Sequence, residues 1–130
     1  WESHALEHAL SAVNPKVAHG AGLAVIMPAW MRYVWREDQS RFASFAHEVF
    51  GIDPKDDSDA AIEEVALTAI DRLQDFFKSL GMPSTLGELG FTEAEVDKLV
   101  EIVIAAKGNP FGVFKPLSAE DAKAIYLSAF

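Results

Sequence analysis

Apolar residues fall at Ile62, Val65, Ala66, Ala69, Ile70, Leu73, Phe76, Phe77 and Leu80, all at helical spacing. Such a run is stable in water as an α-helix whose apolar stripe faces inward. Nowhere does the chain show the strict apolar/polar alternation between turn residues that would offer this helix a sheet to pack on. Its stripe must then be covered by other helices, and the chain is predicted to be all-α.

The remaining helices are read from their start and stop residues. Residues 2 to 12 form a short helix that ends before Asn14-Pro15, because proline drives the residue before it out of the helical region. A second, mostly buried helix runs from Gly20 to about Glu37, with Pro28 inside it predicting a kink or a restart. A third spans Gln39 to Phe50, with Phe42, Phe45, Val49 and Phe50 on one stripe and Gly51 as its stop. Ser58 or Asp59 caps the long helix, which Gly81 and Pro83 end. Thr92 with Glu95, and Ser118 with Asp121, have capping-box spacing and open two further helices. The first of these closes at Lys107-Gly108, the second runs through Tyr126, and GNPFGVFKP between them is irregular.

Charge and composition exclude several classes of function. Eleven Lys and Arg scattered among twenty acids give a net charge of -9, which leaves no basic surface for nucleic acid. No apolar run reaches membrane-spanning length, because Ala21 to Trp35 is interrupted by Pro28, Arg32 and Tyr33. There is no cysteine, which removes disulfides and thiolate chemistry and fits a reducing, cytoplasmic setting. No charged leader precedes an apolar stretch, and the first residue is Trp1 rather than Met, so the chain is expected to begin inside a longer one. With 50% hydrophobic and 24% charged residues, part of the surface is expected to meet a partner. Walker A, the nicotinamide fingerprint, the G-x-S-x-G elbow and the calcium loop are all missing.

Three of the four histidines lie in the first twenty residues. His4 and His8 are four apart and share a helix face, and His19 stands before Gly20-Ala21-Gly22, whose small side chains let a helix start pack back toward His4. Such a set can hold a divalent ion, carry protons, or simply occupy helix positions. Zinc-protease spacing fails, since Ala5 follows His4, and the nearest carboxylate, Glu7, is about a third of a turn off the face of His8. His47 has no such companions and reads as an ordinary surface or boundary histidine, while Trp30, Tyr33 and Trp35 read as core or domain interface.

Taken together, Trp1-Glu-Ser-His4, His8-Ala-Leu-Ser-Ala, His19-Gly-Ala-Gly-Leu-Ala and Met27-Pro-Ala-Trp-Met-Arg-Tyr33 resemble the iron-containing alcohol dehydrogenases, in their butanol-dehydrogenase-like branch. The stretch GNPFGVFKPLSAEDAKAIY resembles that family's ending, so the likeness covers essentially the whole chain. The resemblance implies a dehydroquinate-synthase-like fold, of which residues 1–130 are the single C-terminal helical domain and the N-terminal nucleotide-binding domain is missing. It implies a metal, Fe²⁺ or else Zn²⁺, held by one aspartate and three histidines. His4 and His19 match two of those ligands, and His8 matches the histidine beside the nicotinamide that serves in proton relay. The implied reaction interconverts primary alcohols and aldehydes with NAD(H) or NADP(H). The isolated fragment is expected to be inactive, to bind metal weakly, and to expose an apolar face that meets the missing domain or forms a homodimer. The competing expectation is a non-enzymatic helical interaction module whose histidines are structural.

Overall fold

The computed structural model describes residues 2–130, so Trp1, which opens the first motif, lies outside the described residues. Six α-helices follow in order: α1 (Glu2–Val13), α2 (His19–Val34), α3 (Gln39–Phe50), α4 (Asp59–Ser79), α5 (Val96–Lys107) and α6 (Ala119–Ser128). Short 3-10 turns at Trp35–Asp38 and Glu93–Glu95 lead into α3 and α5. No strand occurs among the described residues, and the connection from α5 to α6 carries only an isolated bridge between Phe111 and Leu117.

The expected caps form. Ser58 accepts from the Ala61 backbone at the start of α4, Thr92 and Glu95 complete one capping box, and Ser118 and Asp121 complete the other. Gly51 ends α3 at φ 66°, a conformation glycine adopts without the clash a Cβ brings. Three details differ from the sequence expectation. Helix α2 begins at His19 and runs through Pro28 without a restart, because neighbouring helices hold the turn whose hydrogen bond proline cannot make. Val49 is exposed, leaving Phe42 and Ala46 as the buried residues of α3. The stripe of α4 is buried from Ala61 to Ile70, but Phe76 and Leu80 beyond it are exposed.

Helix α1 lies in the middle, packed against α2 on one side and α5 on the other, while α4 joins α2 to α3 and α6 closes against α2 and α5. Leu6 and Leu10 of α1, Val25 and Ile26 of α2, Ile70, Leu99 and Ile125 fill one core. The Tyr126 hydroxyl donates to the Leu6 carbonyl at 2.6 Å inside this core, fastening α6 to α1. Burial, with the nearby negative charge of Glu7 adding to it, pushes that hydroxyl well up from its ordinary pKa, so it stays a donor. At the start of α1 the buried Glu2 carboxylate accepts from Trp30 Nε1 and from the Lys115 backbone, both at 2.9 Å. These two bonds fix α1 against α2 and the loop before α6, and with them the position of its histidines.

Candidate metal centre

Residues 14–18 make the turn that forms the site. Asn14 continues the backbone bonding of α1 to the Leu10 carbonyl, its Oδ1 accepts from the Lys16 backbone, and its carbonyl accepts from Val17. The chain thereby reverses within a few residues and starts α2 beside α1, the helical counterpart of a hairpin. His19 is the first residue of α2 and lands against the face of α1 that carries His4 and His8.

All three imidazoles are brought together. The ring centroid of His19 lies 5.5 Å from that of His4 and 5.7 Å from that of His8. His4 is half-buried, and His8 and His19 are exposed. Two imidazoles bound to one tetrahedral ion through bonds of about 2.1 Å place their centroids roughly 5.3 Å apart, so the separations fit a shared divalent cation. Distance alone admits either pair. The donor set of neutral imidazoles with no thiolate also suits Fe²⁺ or Zn²⁺.

Glu7 is the residue whose place was not legible in the sequence. Its position a fraction of a turn from His8 carries it away from solvent and under His19, where it is fully buried and paired with the His19 Nδ1. Ser11, one turn further along α1, donates to the other carboxylate oxygen at 2.8 Å. A buried carboxylate is expensive unless paired and hydrogen-bonded, and both conditions are met. Among the described residues, Glu7, His8 and His19 each offer a ligand atom, all within 4.8 Å of one another. The signal in the sequence was the pair Glu7 and Ser11 at one-turn spacing beside the histidine stripe, together with a glycine one turn after His19.

His47 is not part of this site: it is exposed on α3, with Nδ1 2.7 Å from the Asp53 carboxylate. Trp35 is buried, and Trp30 packs edge-on to Phe114 with centroids 5.7 Å apart, so both act in the core. Tyr33 is exposed and donates to Asp121, and this hydrogen bond, ahead of partial burial and the charges of Asp121 and Glu120, raises its pKa to about 12.

Residues 1–130 match the description Fe-containing alcohol dehydrogenase family, C-terminal. NADH-dependent butanol dehydrogenase A of Clostridium acetobutylicum is 34% identical across 100% of this chain, which spans 32% of that protein. Probable NADH-dependent butanol dehydrogenase 2 of Bacillus subtilis is 38% identical over 96% of the chain and 31% of its own length. The crystal structure of NADH-dependent butanol dehydrogenase A from Thermotoga maritima superposes with a TM-score of 0.87 at 34% identity, covering 99% of this chain and 32% of that one. The chain thus spans about a third of the length of the curated relatives it matches.

Proposed function

We propose, from the fact that this chain belongs to the Fe-containing alcohol dehydrogenase family, that it is the helical, metal-holding part of an enzyme interconverting primary alcohols and aldehydes with a nicotinamide cofactor. The observation that carries the reading is the convergence of His4 and His19, 5.5 Å apart at their centroids, on the turn between α1 and α2. In this reading His4 and His19 supply two ligands of a divalent ion, Fe²⁺ in keeping with the family's description, and an N-terminal nucleotide-binding domain supplies the rest. When bound, the ion polarises the substrate oxygen and the nicotinamide exchanges hydride with the substrate carbon.

The chain's own residues then have separate tasks. His4 and His19 fix where the oxygen of the alcohol or aldehyde sits, and the core bonds behind α1 keep the two rings from drifting apart. His8, exposed beside them and one turn along the same face, takes or gives the hydroxyl proton. The names of the relatives, butanol dehydrogenases among them, agree with an alcohol as substrate.

The test is metal content and NAD-linked alcohol oxidation of the full-length protein. His4→Ala and His19→Ala are each expected to lose the ion and nearly all turnover. Metal content and activity unchanged in both variants would leave the histidines structural and return the chain to a helical interaction module.

A further inference from the structure

We propose that Glu7 is a positioning residue of the metal centre, holding the Nδ1 edge of His19 so that the opposite ring nitrogen is presented to the ion. The inference rests on the reading of His19 as a ligand and adds a residue outside the four-ligand shell.

Three observations point to a built contact rather than a chance ion pair. Glu7 is fully buried while its partner's side chain is 49% exposed, so the carboxylate cannot turn to water and the ring alone faces the open side. Ser11 fixes the second carboxylate oxygen at 2.8 Å and thereby the plane in which the first meets His19. Gly22 supplies the space: a Cβ there would stand 2.6 Å from Glu7 Oε1 and 2.7 Å from its Cγ, inside any tolerable contact.

Glycine inside a helix is less stable than alanine by roughly 0.5–1 kcal/mol, so Gly22 is a place where α2 gives up helix stability for close approach. What approaches is the Glu7 side chain. The carboxylate also lies against the first turn of α2, where the helix dipole favours negative charge. A ligand imidazole whose second nitrogen is held by a carboxylate has its tautomer and orientation fixed and its donor nitrogen made more basic, and loss of such a partner typically weakens metal binding 10- to 100-fold. Because Nδ1 of His19 is taken by Glu7, the nitrogen left for the ion is Nε2.

The experiment uses the full-length protein stripped of metal and titrated with Co²⁺ against a competing chelator, following the visible absorption of the bound ion and the thermal stability of the apoprotein. Glu7→Gln, which preserves shape, and Gly22→Ala, which displaces the carboxylate without touching it chemically, are each expected to weaken Co²⁺ binding about 10- to 100-fold while the absorption keeps its band positions. The double variant is expected to bind no more weakly than the weaker single, because both act through one contact. An apoprotein melting temperature unchanged in Glu7→Gln separates positioning from general destabilisation. Wild-type affinity in both single variants, with His19→Ala losing the ion, overturns the role of Glu7 and leaves the ligand reading standing. A shifted absorption band in Glu7→Gln makes Glu7 a ligand and overturns it as well. Undiminished binding in His19→Ala overturns the ligand reading itself.

Discussion

A ligating imidazole almost always has its second nitrogen held by a hydrogen-bond partner, and Nδ1 of His19 has one in the buried Glu7 carboxylate. His4 and His8 were legible as a pair because helix periodicity is local: four residues always return to one face. The role of Glu7 was not, since it depends on how near α2 comes at Gly22, a distance set by packing across the turn rather than by spacing along α1. At the same scale the role proposed for His8 is separable from the role proposed for His4 and His19. His8→Gln in the full-length enzyme is expected to keep its metal and lose about 10²- to 10⁴-fold in kcat, the usual worth of a proton-transferring side chain. Metal analysis alongside steady-state kinetics checks this, and loss of the ion in His8→Gln would make it a ligand instead.

The helices were largely legible because their ends are written in short-range chemistry. Thr92 with Glu95 and Ser118 with Asp121 form the boxes their spacing predicts, and α3 has the bounds expected from Gln39 to Phe50. What could not be read is where a stripe outruns its neighbours: Phe76 and Leu80 continue the apolar face of α4 past the helices that cover its first half. Helix α6 offers a quantitative check. Ser118→Ala is expected to cost about 1 kcal/mol in thermal or denaturant unfolding, as for other N-caps. Asp121 completes the same box. Burial pushes its carboxyl up, but hydrogen bonds from the Tyr33 hydroxyl and from the Ser118 backbone and hydroxyl outweigh it and hold the pKa below the ordinary value. A group depressed in the folded state stabilises above its unfolded pKa and stops doing so as the pH falls through the folded one. Melts of wild type and Asp121→Asn are therefore expected to differ at neutral pH, to approach each other once the pH falls below about 4, and to converge only below the lowered folded pKa. A gap constant with pH would remove Asp121 from the acid response.

As a whole the molecule has a closed core on one side of α1 and an open histidine cluster on the other. The core explains why 130 residues without a disulfide can hold one arrangement, and α1 is pinned at its start, by Glu2 to Trp30 and Lys115, and along its length, by Leu6 to Tyr126. The open cluster makes sense if further ligands arrive from a second domain, in keeping with relatives about three times as long. Val113 and Leu80 stand among the exposed large apolar residues, and no described helix is long and apolar enough to cross a membrane. The account stands on two imidazoles sharing one cation, and the most direct measurement is anomalous diffraction at the zinc edge from crystals of the full-length protein loaded with Zn²⁺. It predicts a single peak within about 2.1 Å of a ring nitrogen of His4 and of His19, with Glu7 touching the ring and not the ion. A peak bound by Glu7 and His8, with His4 turned away, would contradict it.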